Sequence, residues 1–321
     1  MKIKVLVTGA GGDGAQGVIR ALRKSRSSYE IASVCINNRS PGLHMSDIFE
    51  ISPPIVLESE YVNFLIEFIN CNKIDILIPT IDGEISLISS NRCKIEQKTN
   101  SKVIVGSIKS TKICSDKLET SEYLCKIGVD QPTILSIDRV DLIKDSITSG
   151  TRIIKKPRIG GGSKGISLLD MGDLEKDDWL NKDFIYQKFQ KYSKEYTAVV
   201  MKDDDNIVAV TVLERILTNG RTTWCKRVLS DKYDKMLRKI AKGLDIPYLN
   251  IQFGIVNDTP YVFDLNPRFS GSTGVFSEVF NGPHLLTQRY CTGVLPSFDC
   301  SNKYFESVRY YEDLIYNCHE E

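Results

Sequence analysis

Asn250-Ile251-Gln252-Phe253-Gly254-Ile255-Val256, a short polar break, and Tyr261-Val262-Phe263-Asp264-Leu265-Asn266-Pro267-Arg268 form the stretch on which the reading of this chain turns. Both runs alternate with a period of two, which predicts the two strands of a hairpin. With Asn257-Asp258-Thr259 as the loop, Gln252 falls opposite Asp264 and Ile251 opposite Leu265. One face then carries Ile251, Phe253, Ile255, Tyr261, Phe263 and Leu265, and the other carries Gln252, Asp264 and Asn266. Neutral amide oxygens beside one carboxylate make a hard donor set, suited to Mg²⁺ or Mn²⁺ that keeps several waters and carries phosphates. Arg268, one step past the last of these ligands, is placed to grip a phosphoryl oxygen.

Working outward, the whole chain has 321 residues, enough for two or three domains with substantial cores. Charged residues make up 26%, hydrophobic ones 41%, and the net charge is +1, so electrostatics gives no case for nucleic acid or an anionic membrane as partner. No run of eighteen apolar residues occurs, and Met1 to Val7 reads as a strand entering a glycine loop, not as a signal peptide. The nine cysteines are scattered without a C-x-x-C pair, which favours reduced thiols and a cytoplasmic protein over disulfides or a zinc site. Only three histidines are present, so the chemistry falls to carboxylates, amides, lysine and arginine.

The first hundred residues alternate strand and helix. Lys4–Val7, Ile31–Ile36, Ile74–Ile78 and Val103–Gly106 read as strands of a small doubly wound parallel sheet. Gly9, Gly11 and Gly14 match G-x-G-x-x-G, but the second strand ends in Asn37-Asn38, with no carboxylate for a ribose diol; a tight turn kept for packing is the better reading than a dinucleotide site. Asp82 and Glu84 follow the strand ending at Pro79, at the end of the sheet that faces ligands, and line a substrate pocket or a solvated loop. Further on, Asp116 and Glu119 mark a helix start, and the helix is expected to run to Gly128. Gly150–Lys156 and Ile166–Leu169 read as strands flanking Gly160-Gly161-Gly162-Ser163-Lys164-Gly165, a loop able to fold over phosphates as a flap. Asn302 to Glu321 carries no motif.

In order along the chain stand Lys117, Lys156-Pro157-Arg158, the glycine flap, Gln187-Lys188-Phe189, Glu195-Tyr196-Thr197, Arg215, and the hairpin ending in Asn266-Pro267-Arg268-Phe269-Ser270-Gly271. This series resembles the ATP-grasp superfamily, in its carbamoyl phosphate synthetase large-chain-like branch, over roughly Met1 to Phe298. The resemblance implies an α/β fold. An N-terminal Rossmann-like (pre-ATP-grasp) domain would occupy residues 1–108, a flap-bearing subdomain 109–186, a C-terminal subdomain with the metal site 187–300, and a tail 301–321. It implies ATP and Mg²⁺ as cofactors, with Lys117, Lys156, Gly160, Gly161, Gly162 and Ser163 on the phosphates. Main-chain groups of Gln187, Lys188 and Phe189 would read adenine, and Glu195 would hold the ribose. Gln252, Asp264 and Asn266 would hold the metal, with Arg268 and Arg215 on the γ-phosphoryl group; Asp82, Glu84 and Ser270 are candidates for the substrate end. Two positions depart from the family pattern, which has Glu where this chain has Asp264 and Gln-Glu where it has Gln187-Lys188. The implied activity is a carboxylate–amine ligase working through an acyl phosphate on small-molecule carboxylate and amine substrates. The alternatives are a reaction that stops at phosphoryl transfer or a non-catalytic nucleotide-binding protein. The N-terminal domain offers a surface for a homodimer.

Overall fold

A computed structural model describes residues 2–25, 29–131, 134–135, 152–161, 165–170 and 181–316. Strands β1 (Ile3–Thr8), β2 (Tyr29–Cys35), β3 (Ile48–Ile51), β4 (Ile76–Ile78) and β5 (Lys102–Val103) form a parallel sheet in the order β3-β2-β1-β4-β5. Helices α1 (Asp13–Lys24), α2 (Pro41–His44), α3 (Glu58–Asn72) and α4 (Asp82–Lys98) connect its strands. The runs Val5-Leu6-Val7 and Ile76-Leu77-Ile78 are continuously apolar because both faces of the sheet are covered. Val5, Val7, Ile76 and Ile78 pack with Val18, Ile19 and Leu22 of α1, whereas Leu6 and Leu77 point the other way, to Leu65 of α3 and Ile88 of α4.

After α5 (Ile108–Ser115) and α6 (Lys117–Lys126), the chain builds two antiparallel sheets. Strands β6 (Ile134–Leu135), β7 (Ile153–Pro157), β8 (Ser167–Leu169) and β9 (Phe184–Lys188) lie in the order β6-β9-β7-β8. The larger sheet contains β10 (Glu195–Asp203), β11 (Asn206–Thr218), β12 (Arg221–Val228), β13 (Tyr248–Val256), β14 (Thr259–Asn266) and β15 (Glu306–Val308), in the order β14-β13-β10-β11-β12-β15. Helix α7 (Asp234–Lys242) buries Leu237 and Ile240 against one face of it, with Tyr196, Ala198, Ile251 and Phe253. On the opposite face, Val199, Met201 and Leu213 join the core that includes α1, α8 (Thr273–Phe276) and α9 (Gly282–Thr292). That face is apolar at one end, where it docks on the first domain, and polar at the other, where Glu195, Thr197, Arg215 and Gln252 open into a cleft.

The hairpin has the expected pairs Gln252↔Asp264 and Ile251↔Leu265, but by a different route. Val256 pairs with Thr259, so the turn is the two residues Asn257 and Asp258, both at positive φ (48° and 62°), as a tight hairpin turn requires. A bulge between Gln252 and Phe253 then pairs Phe253 with Val262 and leaves Phe263 as the extra residue. Tyr261 and Phe263 are therefore not on the core face. Val262 is buried in their place, while Phe263 stacks on Tyr192 (5.3 Å between ring centroids) and lines the cleft.

Three further expectations are corrected. Asp82 and Glu84 belong to the first turn of α4, not to a loop. Helix α6 ends at Lys126, with Gly128 at positive φ (60°) beyond it. The residues after 301 add β15 to the edge of the large sheet, pairing Trp224 with Val308 and Lys226 with Glu306.

Candidate functional site

The cleft lies between the two antiparallel sheets and the carboxyl ends of β1 and β4, and holds roughly 1270 Å³. That exceeds the few hundred to about 1,000 Å³ of an ordinary small-molecule pocket. Its floor is the polar end of the large sheet. Gln252 and Asp264 are cross-strand partners, and Asn266 follows Asp264 by two, so all three rise from one face. The Asn266 amide Nδ2 donates to Asp264 Oδ2 (3.0 Å), and Gln252 Nε2 donates to Asn250 Oδ1 (3.4 Å). Each amide thereby uses its nitrogen within the protein and turns its oxygen outward. Gln252 Oε1 accepts from Arg215 Nη2 (2.7 Å), and Asn266 Oδ1 lies 3.5 Å from Arg268 Nη2. Three oxygens on one patch beside two arginines fit a hard divalent cation and the phosphates it carries.

The cations are positioned by separate segments. Lys117 is the first residue of α6, whose N-cap Asp116 accepts from Leu118 N (2.9 Å) and also from Arg158 Nε (3.1 Å). Its ammonium donates to Gly160 O (2.7 Å), tying it to the start of the glycine loop. Lys156 comes from β7 and lies 5.9 Å above the Phe263 ring. Burial lowers its pKa, with Lys117 adding to that, while Asp264 and Glu195 work to raise it. Arg215, on β11, donates through Nε (3.0 Å) and Nη2 (2.5 Å) to Glu195 Oε1. The Arg268 guanidinium forms a two-pronged pair with Asp82, through Nε to Oδ1 and Nη2 to Oδ2, the latter at 2.6 Å. Burial alone would lower the Arg268 pKa, but the Asp82 carboxylate and nearby Asp264 leave it raised.

These side chains share one cleft with Gly160, Gly161, Gln187, Lys188, Phe189 and Ser270. Gly161 sits so close to Asp82 that a Cβ there would fall 2.4 Å from Oδ2, so the first two glycines of the loop span the cleft from Lys117 to Asp82. Gly162 and Ser163 lie outside the described residues. Glu84 is corrected: it faces away from the cleft and is buried, accepting hydrogen bonds from Thr8 Oγ1 and from Tyr61 OH (2.8 Å). Burial pushes its pKa up to about 7, against the lowering effect of those hydroxyls and of backbone donors. Sequence reasoning passed over Asp13, Arg221, Phe263 and Arg309, which also line the cleft. Asp13 sits in the glycine motif and was detectable there; Arg309 carries no local signal.

Residues 114–272 match the family model for an ATP-grasp domain, and residues 5–104 match that for a PylC-like N-terminal domain. The carbamoyl phosphate synthase large chain of Thermoanaerobacter sp. (strain X514) is 27% identical over 312 residues, covering 87% of this chain and 29% of the relative. That of Sulfolobus acidocaldarius is 23% identical over 329 residues, covering 92% and 30%. The chain thus spans less than a third of the length of these relatives. An N5-carboxyaminoimidazole ribonucleotide synthetase in complex with ADP superposes with a TM-score of 0.72 at 18% identity, over 96% of this chain and 81% of that one. The biotin carboxylase domain of Hydrogenobacter thermophilus 2-oxoglutarate carboxylase, in complex with MgADP and bicarbonate, gives 0.71 at 17% identity, over 96% and 74%. The chain belongs to the ATP-grasp superfamily. Among the described residues, no helix is long and apolar enough to cross a membrane, and the cysteines are free thiols.

Proposed function

We propose that the protein is an ATP-dependent carboxylate–amine ligase. The observation that carries this reading is the convergence of Lys117, Lys156, Arg268 and the Gln252/Asp264/Asn266 patch, from four separate segments, on one cleft. The sequence relatives and the nucleotide complexes among the similar structures support it. Lys117 and Lys156 hold the α- and β-phosphates, and the glycine loop closes over the transferring end to exclude water. Phe189 N already donates to Arg152 O (2.9 Å), so main-chain reading of adenine falls to Lys188, whose amide points away from β7 by antiparallel alternation. Glu195 gives Oε1 to Arg215 and keeps Oε2 for a ribose hydroxyl. Gln252, Asp264 and Asn266 would hold Mg²⁺, which would supply charge neutralisation to the bound phosphates.

The chemistry then needs no protein nucleophile. A substrate carboxylate oxygen attacks the γ-phosphorus in line as the bond to the β-phosphate oxygen breaks, giving an acyl phosphate and ADP. The amine attacks the acyl carbon, phosphate leaves, and the amine's proton goes to solvent or phosphate. Arg268, with Arg215 behind Gln252, meets the charge spreading over the γ-phosphoryl oxygens, so catalysis is positioning plus electrostatics. The test is phosphate release from ATP and Mg²⁺ over a library of paired carboxylates and amines, with mass analysis of products. A new amide formed with one ADP per product is the expected result. Phosphorylated carboxylate without amide would reduce the activity to phosphoryl transfer, and failure of the protein to bind ATP would remove the proposal.

A further inference from the structure

Beyond Arg268 the cleft continues to the glycine motif of the first domain, where a second group of guanidinium side chains gathers. Asp13, the first residue of α1, is the acceptor for Arg309 Nη1 and lies 3.7 Å from Arg221 Nε through the same Oδ2 oxygen. Arg309 Nη2 donates to Gly271 O (3.0 Å). The guanidinium of Arg20 also feels this group: desolvation and Arg309 lower its pKa, and Asp13 raises it. One carboxylate oxygen is therefore shared by two guanidinium groups, with a third close by and the N-terminus of α1 adding its positive end. The Arg221 side chain comes no nearer to Asp13 Oδ2 than the 3.7 Å of its Nε, too long for a hydrogen bond, and is 58% exposed. A guanidinium has five N–H donors, so this corner has many more donors than acceptors.

The corner is built, not incidental. Strand β15 pairs with β12, and the Arg309 backbone continues that pairing, donating to Thr223 O (2.8 Å), which delivers its side chain over Gly271. Arg221 begins β12 on the same edge. Gly271 follows Arg268 by three residues, which limits their backbone separation to about 10 Å.

The geometry points to an anion subsite for the acceptor substrate, formed by Arg221 and Arg309 beside Asp13. The acceptor carries, besides its reacting carboxylate at Arg268, a second anionic group (carboxylate or phosphate) a few bonds away. An ammonium group is disfavoured, because Asp13 is already shared among arginines. This inference rests on the ligase reading for the position of the reacting carboxylate.

The test is calorimetric binding to the full chain saturated with MgADP. The probes are succinate and glutarate, butyrate as the matched monoanion, and phosphoserine against serine. Succinate or glutarate should bind about tenfold or more tightly than butyrate, in line with a charge-assisted hydrogen-bonded contact. The phosphoserine arm tells whether phosphate or carboxylate is the preferred second group. Arg221→Gln, at a side chain 58% exposed, and Arg309→Gln should each reduce the preference severalfold while ADP affinity stays within about twofold. Equal binding of mono- and dianions, or a preference that survives both substitutions, overturns the subsite. Failure of MgADP itself to bind would instead sink the ligase reading and leave the dianion preference, measured without nucleotide, to stand or fall by the same comparison.

Discussion

Raising the pH from 4.5 to 8 should weaken the folded state by about 3 kcal/mol through one side chain, Glu84. Its carboxyl is buried on the first turn of α4, between Thr8 at the end of β1 and Tyr61 on α3. Two effects oppose each other. The hydroxyls of Thr8 and Tyr61, with backbone donors, favour the carboxylate; removal from water favours the acid, and it is the larger. The net result lifts the pKa from an ordinary 4.5 to about 7. Between these values the folded protein keeps a proton that the unfolded chain has lost. The associated stability is fully present below pH 4.5 and is lost as the pH rises through 7. At about 1.4 kcal/mol per pH unit, the interval corresponds to about 3 kcal/mol. Glu84→Gln removes the titration and keeps the shape, with one hydroxyl turning its lone pair to the amide nitrogen. Urea denaturation of both proteins at intervals from pH 4.5 to 8 isolates the effect, because every other titrating group is common to them. The wild type should lose about 3 kcal/mol relative to the variant across the range. Parallel curves would show that Glu84 titrates normally. A wild type that gains on the variant would show that the hydroxyl bonds outweigh burial.

Two other outcomes follow from the cleft and its walls. Asp264→Ala and Arg268→Ala should each lower phosphate release with the true substrates by roughly a hundredfold or more, with thermal stability measured alongside; near-normal turnover in both would end the roles given to them. Gly14→Ala places a Cβ 2.9 Å from Phe269 O, against backbone that cannot swing aside, and should destabilise by about 1–3 kcal/mol in thermal or urea unfolding. Gly12→Ala meets nothing nearer than 3.4 Å and should change stability by less than about 1 kcal/mol; equal effects at the two positions would refute the packing argument.

The Gly14 contact shows what could be read from the chain and what could not. The glycine motif, the parallel sheet and the alternation of the hairpin are local patterns, and local patterns are written in consecutive residues. The hairpin register was legible for a less direct reason. A three-residue loop and a two-residue turn differ by one position, and the bulge at Phe263 restores that position before Gln252 meets Asp264. The pairing at the polar patch is the same either way, while the residues nearer the turn switch faces, which is why Phe263 belongs to the cleft and Val262 to the core. Nothing in the sequence marks the bulge. Glu84 was illegible for another reason: Asp82 and Glu84 look alike in sequence, and only the partners Thr8 and Tyr61, many residues away, turn one inward. Arg309 depends on the pairing of β15 with β12, a contact between distant segments that no spacing rule encodes.

The cleft also explains how so much positive charge is kept in a folded protein. A buried guanidinium without a partner would destabilise by several kcal/mol. Here the two arginines of the proposed γ-phosphoryl end each have an acceptor supplied from another segment: Asp82 of the first domain for Arg268, and Glu195 with Gln252 for Arg215; Lys117 likewise uses Gly160 O. These partners hold the donors in place around one cleft before any phosphate arrives, the kind of preorganisation on which electrostatic catalysis draws. In the proposed reaction the cost is competition, since a phosphate would share Arg268 with Asp82. Asp82 is well suited to that exchange, because it stands at the N-terminus of α4, where a carboxylate is favoured even when its guanidinium partner turns away. Lys156 is held differently. It is buried, with a lowered pKa, beside Phe263 and the carboxylates Asp264 and Glu195. Asp264 therefore favours the charged form of Lys156, so removing that carboxylate should weaken nucleotide binding through the lysine as well as through the proposed metal patch. Adding Lys156→Ala to Asp264→Ala should then lower ADP affinity by less than the two separate effects combined. Full additivity in a titration of both single variants and the double variant would show the two groups to be independent.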